Sequence, residues 1–358
     1  MRPILQSTLL LGTIMVATTQ SGATPPCTAD LDGSGAITTD DLLLMLEQWG
    51  QGQWCRAADI DRDFQIGVDD LLALVEQWGD CSTDELTFVL DDGIRMMHAA
   101  EPAAGVAPDG SVYLYYNDKT TQPGQRRVSV SEDGLNFPEG DPETSHEYDS
   151  RATLLPDGTW RMYLWSMDDQ VLRSSSSTDG VQYIMDEGIR YEIQPEDNGS
   201  MGIYRAFSDT QGGVVLLYIG DMWGLNNIRR AYSTDNGWTF EFQHGDVLGD
   251  SDDGGTNNSW VDQSPTRLAG CRIRLFVMRE GLIATFISND DLTSFTQEDG
   301  YRLQPSDVPD LAVRSLHDPV VVQLHDGRWR MYVCAFVDND PPGPGGDDYQ
   351  CLISATTP

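Results

Sequence analysis

Glu101, Asp149, Asp262 and Asp318 stand eleven residues before Val112, Trp160, Ile273 and Trp329, each of which opens the second strand of a repeated hairpin; in the remaining copy Ile203 stands before Val214. One register of a repeat thus carries carboxylates in four of five copies, and repeats arranged about an axis would make them converge. Converging carboxylates suit general acid and base work, because one can hold a proton while another stays ionised; they also suit a bound cation. Arg151 and Arg205 follow their ring positions by two residues, His98 and His146 precede theirs by three, and His317 adjoins Asp318. Arginines there would orient a carboxylate or a hydroxyl-rich ligand, for which a glycan is the natural fit.

A second chemistry lies nearer the N-terminus, where the segment from Cys27 to Cys81 repeats with a period of 29 residues. In the first copy Asp30, Asp32 and Ser34 fall at loop positions 1, 3 and 5, Ala36 offers a carbonyl at 7, and Asp41 closes at 12. The second copy runs Asp59, Asp61, Asp63, Gln65 and Asp70. Alternating oxygen donors turn inward around one point, which suits calcium, a hard cation taking six to eight oxygens. Phe64 occupies the sharp-turn position that Gly35 fills in the first copy, so the second site is expected to be weaker. Each loop leads into an apolar helix, Leu42 to Trp49 and Leu71 to Trp78, where leucines can pack on leucines in a core that metal must help to hold.

The ring carboxylates need a scaffold, and the rest of the chain is written as repeats. Pro108-Asp109-Gly110 to Tyr116 recurs as Pro156-Asp157-Gly158 to Leu164 and as His325-Asp326-Gly327 to Val333, with weaker copies from Gly212 and Gly270. Each is strand, tight Asp-Gly turn, strand. A second cassette follows the first four copies, at Ser131-Glu132-Asp133-Gly134, Ser177-Thr178-Asp179-Gly180, Ser233 to Phe240 and Ser288 to Phe295. Four strands per unit, at about fifty residues each, is the pattern of β-propeller blades. The cassette missing from the C-terminus appears at the front, from Ser82 to Asp91-Asp92-Gly93, parallel to Tyr183 leading to Asp186-Glu187-Gly188. The expectation is a mainly β, five-bladed propeller over residues 82–358, closed by an N-terminal strand that leaves no open edge, behind a small α-helical EF-hand-like calcium module over residues 27–81.

On these residues the N-terminal repeats resemble the dockerin family, which implies docking to a cohesin-type scaffold protein; the partner-reading positions 10 and 11 would be Thr39-Asp40 and Val68-Asp69. The Asp318-Pro319 strand start and the Asp-Gly-x-x-Arg-Met-Tyr hairpin resemble the arabinanase, xylosidase and fructosidase group of glycoside hydrolases. That resemblance implies an aspartate base and a tuning aspartate, which map onto Asp318, Asp149 or Asp262, and a glutamate acid. Glu101 is the only glutamate of the ring and would have to be that acid; the usual acid neighbourhood is absent from its blade. Ser233 to Phe240 is similar to the Asp box of sialidase propellers, a turn-stabilising device remote from chemistry. Trp165, Trp223 and Trp260 are candidate sugar platforms, although propeller tryptophans commonly pack between blades.

Met1-Arg2 and the apolar run from Leu9 to Ala17 read as a secretory signal over residues 1–23. An exported chain with six cysteines favours disulfides, with Cys334 to Cys351 the preferred pair. With 57 acidic against 22 basic residues and a net charge of -35, nucleic acid and anionic membranes are excluded as partners, and no transmembrane segment is expected. The sequence thus points to a secreted or cell-surface propeller that hydrolyses a glycan or polysaccharide, the alternative being a non-catalytic carbohydrate-binding propeller.

Overall fold

The computed structural model describes residues 29–31, 36–50, 58, 60, 66–80, 87–120, 124–140, 146, 150–155, 157–208, 213–224, 226–248, 259–268, 272–288, 292, 295–338 and 349–358. The proposed signal segment lies outside them, as do Asp32, Ser34, Asp59, Asp61, Asp63, Gln65, Asp149 and Cys27, Cys55, Cys81 and Cys271.

Five antiparallel sheets form the blades. Their inner strands are Ala99–Val106, Ser150–Leu154, Met201–Ser208, Val261–Arg267 and Val313–Gln323, in blades 1 to 5, and each contacts the next in a closed ring. The last blade is completed from the front: Val89–Leu90 and Met96–Met97 pair with the C-terminal strand Tyr349–Thr356, through Leu90 to Ala355 and Met97 to Cys351. Asp91 pins this closure, its Oδ2 accepting from Ser354 Oγ at 2.6 Å and Thr356 Oγ1 at 2.9 Å. Asp186 does the same in blade 2 with Ser174 and Ser176.

Local chemistry writes the blades. In the inner hairpins Asp109, Asp157 and Asp326 accept the amides of Ser111, Thr159 and Arg328, while Gly110, Gly158 and Gly327 take φ values of 93°, 81° and 87° that a side chain would oppose. In the outer turns Ser131, Ser177 and Ser233 donate to Asp133, Asp179 and Asp235, whose carboxylates also accept two backbone amides each. Those amides hold Asp133 far below the usual carboxylate range.

The Arg-Met-Tyr of the hairpin has a role between blades. Tyr332, Tyr115 and Tyr163 donate to the carbonyls of Gly134, Gly180 and Gly237, joining blade 5 to 1, 1 to 2 and 2 to 3. Arg330 and Arg161 reach the same turns at Asp133 O and Asn236 O, both at 2.6 Å. Apolar clusters fill the interfaces, for example Tyr163, Leu216 and Phe240, or Leu217, Leu275 and Phe286.

Cys334 and Cys351 are free thiols. Their strands are neighbours, but Cys334 pairs with Leu352, so Cys351 is one residue out of register and faces the other side of the sheet. Cys334 is buried against blade 1 and Cys351 against the opposite cluster, which corrects the expected bridge.

Outside the propeller, α1 (Thr39–Gln48) and α2 (Val68–Glu76) share a core of Ala29 and Ala58, Ile37 and Ile66, Met45 and Leu74, each pair one repeat apart. The expected leucine packing is only partial, since Leu43, Leu46 and Leu72 are exposed.

Candidate active site in the propeller funnel

The ring register is built by a backbone device repeated in four blades. Glu101, Ile203, Asp262 and Asp318 take φ values of 53°, 44°, 57° and 50°. At each the inner strand slips against its partner, between Ala100 and Ala103, Gly202 and Arg205, Val261 and Ser264, and His317 and Val320. A bulge re-aims one side chain out of the sheet. Left-handed backbone at a residue with a Cβ costs about 1–3 kcal/mol, most for a branched one such as Ile203. Strain repeated at one register over an axis marks a functional feature of the fold.

Three carboxylates converge from adjacent blades 4, 5 and 1. Asp318 N–H donates to Asp262 Oδ2 at 3.1 Å, and His317 Nδ1 lies 3.8 Å from the same oxygen. Both aspartates are buried, and among the described residues Asp318 Oδ1 has no hydrogen-bond partner. Burial pushes the two carboxyls up, Asp262 to about 6 and Asp318 to about 7, the latter helped by the like charges of Asp262 and Glu101. The pair therefore titrates as a unit and keeps a proton near neutrality. Glu101 is placed differently: Asn117 Nδ2 donates at 2.6 Å, Arg151 Nη2 at 3.1 Å, and Lys119 Nζ lies 3.5 Å away.

Guanidinium groups occupy the other side. Arg151 is buried beneath the Tyr204 ring, with its charge 5.8 Å from the centroid. Arg126, fully buried, donates through both terminal nitrogens to Glu101 O and through one of them to Asn117 Oδ1. Arg205 Nη2 donates to Pro102 O at 2.8 Å. Gln263 donates to Ile203 O, tying the ring positions of blades 3 and 4.

Of the other residues proposed from sequence, His317 is brought to the site, its Nε2 2.9 Å from Ser315 Oγ and its ring tilted against Phe336 at 4.5 Å between centroids. Burial lowers its pKa. His98 sits exposed against Tyr349, and His146 packs edge-on to Tyr183; among the described residues neither contacts a ring carboxylate. Trp165 and Trp260 are buried in the interfaces, whereas Trp223 is 84% exposed on the turn after Gly220, the strand end that pairs with Met201 beside the ring. Tyr204 turns away from the channel and donates to Tyr163 O.

Sequence reading did not single out Arg126, Asn117, Lys119 or Gln263. The signal for them was charge where blade strands should be apolar: Arg126 and Arg127 open the third strand of blade 1, Gln125–Ser131.

At the N-terminal repeats, Asp41 accepts from Leu31 N and Thr38 N, and Asp70 from Ile60 N and Gly67 N, all at 2.7 Å. Each closing aspartate thus ties together the two described ends of its loop, with lone pairs remaining on each oxygen. Arg272 of blade 4 approaches Asp30 at 3.9 Å. Among the described residues no group of three His, Cys, Asp or Glu is gathered for a metal ion, and no helix is long and apolar enough to cross a membrane.

No protein-family model matches the chain, and comparison with curated proteins gives no match. Solved structures do resemble it. The endo-arabinase from Bacteroides thetaiotaomicron aligns with a TM-score of 0.52 at 13% identity over 75% of this chain and 96% of its own. An endo-1,4-β-xylanase from the same organism aligns at 0.51 and 14%, over 72% and 96%, and the RS223 β-xylosidase at 0.52 and 15%, over 74% and 92%. At these identities the likeness is one of fold: the chain shares the five-bladed propeller of arabinase and xylosidase structures.

Proposed function

We propose that the funnel hydrolyses glycosidic bonds in a polysaccharide or glycan. The observation that carries this reading is the buried Asp262 and Asp318 pair, which retains a proton at the axis of a propeller of glycoside hydrolase type and leaves Asp318 Oδ1 without a hydrogen-bond partner among the described residues. A carboxylic acid kept neutral near pH 7 can protonate a leaving glycosidic oxygen, a contribution of about 10²–10⁴ in rate. Glu101, held by Asn117, Arg151 and Lys119, is positioned to orient or activate water, so the acid role falls better to the aspartate pair.

In the same reading the chain is exported and tethered through two calcium loops, Asp30, Asp32, Ser34, Ala36 and Asp41, then Asp59, Asp61, Asp63, Gln65 and Asp70. A cohesin-type partner is supported by exposed apolar residues repeated on both helices, Leu46 and Val75, Trp49 and Trp78.

The test is turnover by the purified mature protein, with calcium, of arabinose-, xylose-, galactose-, fructose- and sialic-acid-containing glycans, beside Asp318→Asn, Asp149→Asn and Glu101→Gln. Turnover lost in the variants supports hydrolysis; glycan binding without turnover favours a binding propeller, for which Ile203 in the fifth ring position would be the natural gap.

A further inference from the structure

We infer that the funnel recognises a sugar carrying a carboxylate, with Arg205 as the residue that reads it. The inference rests on the glycan-active reading above.

Arg205 follows Ile203 by two residues on the inner strand of blade 3, yet its Nη2 reaches Pro102 O on blade 1. Blade 2 lies between those blades in the ring, so the guanidinium spans the channel. The residue is only 8% exposed, and its Nε and Nη1 have no hydrogen-bond partner among the described residues. A guanidinium carries five N–H donors and cannot shed its charge, and an unmet donor on a buried charged group costs more than the about 1–3 kcal/mol of a neutral one. Such a group is built to be completed by a ligand.

Among the described residues the carboxyls of Asp318, Asp262 and Glu101 act on its charge through space, but none hydrogen-bonds to it. Glu101 is taken by Arg151, Asn117 and Lys119, and Asp262 Oδ2 by the Asp318 amide. Arg126 and Arg151 add positive charge beside it, and after burial the Arg151 charge is what pulls Arg205 down, to about 10. A sugar hydroxyl would satisfy one donor only. A carboxylate matches the planar fork with two parallel hydrogen bonds. It would share the funnel with Asp318 Oδ1, which, like Gln263 Oε1, is a buried atom without a hydrogen-bond partner among the described residues. The net charge of -35 repels a polyanion at long range, so the fitting ligand is a single acidic residue on an otherwise neutral glycan.

Calorimetric titration of the full mature chain with methyl glucuronoside, methyl galacturonoside and methyl sialoside, each against a neutral counterpart, tests this on wild type, Arg205→Lys and Arg205→Met. We expect at least one acidic glycoside to bind about tenfold or more tighter than its neutral partner. Arg205→Met should abolish that ratio, and Arg205→Lys, which keeps charge but loses the fork, should retain part of it. Equal affinities, or a ratio untouched in Arg205→Met of wild-type melting temperature, overturns the inference. Turnover is followed in parallel. Hydrolysis of neutral glycosides without acidic preference removes the inference and leaves hydrolysis standing; Arg205-dependent binding of an acidic glycoside without turnover does the reverse.

Discussion

The backbone N–H of Asp318 donates to Asp262 Oδ2 at 3.1 Å, so blades 4 and 5 are joined at the two carboxylates that share the funnel's proton. The contact fixes the charged form on Asp262 and leaves Asp318 as the member whose proton is retained to higher pH, near 7.

Loss of that proton should set the alkaline limb of activity. Asp262→Asn removes the like charge that raises Asp318, so the Asp318 pKa falls and the limb of kcat/KM moves to lower pH. An unmoved limb in a folded, active variant would sink the assignment of the pair as proton donor.

Stability should respond in the matching sense. Because both folded-state pKa values lie above the ordinary aspartate value, the pair favours the fold fully below about pH 4 and this contribution is lost as pH rises through about 6 and 7. A tenfold difference in proton affinity between the folded and unfolded chain corresponds to about 1.4 kcal/mol. Asp318→Asn should therefore raise the melting temperature more at pH 8 than at pH 5, which calorimetry at the two values would check.

Ring closure depends on Asp91, which accepts from Ser354 and Thr356 and lies 3.6 Å from Arg330. Asp91→Ala should destabilise the propeller by about 2–4 kcal/mol, as two hydrogen bonds to a charged group are lost. Urea denaturation gives the number, and a midpoint unchanged from wild type would contradict the closing role.

Tyr332→Phe leaves Gly134 O without its 2.7 Å buried donor between blades 5 and 1. The expected cost is about 1–3 kcal/mol, against little change for Tyr301→Phe at an exposed site, both read from urea midpoints.

Calcium removal should unfold α1 and α2 and spare the sheets. Chelation is expected to lower ellipticity at the helical minimum with β signal retained, and Asp70→Ala to halve the bound calcium; helical ellipticity indifferent to chelator would refute the metal dependence.

The arrangement of blades was legible because its determinants are local. Asp109-Gly110, Asp157-Gly158 and Asp326-Gly327 specify turns within four residues, and the Ser131 and Ser177 cassettes do so again, so repetition alone reveals the units and the displaced strand at Val89 and Leu90. The ring register was legible for the same reason: a fixed offset from a turn fixes a position on the strand. The Cys334 and Cys351 pairing failed because proximity in sequence places two strands side by side but leaves register open, and one residue of slip reverses the face.

Sequence by itself thus determined the repeat, its closure and the common register of Glu101, Asp262 and Asp318 on their strands. Tertiary structure decided what those side chains are. Whether Asp318 holds a proton depends on burial and on Asp262, 56 residues away in the chain; whether Arg205 is paired depends on a channel that brings it to Pro102, 103 residues away. Desolvation and Coulomb energies depend on distance through space, which no local pattern encodes.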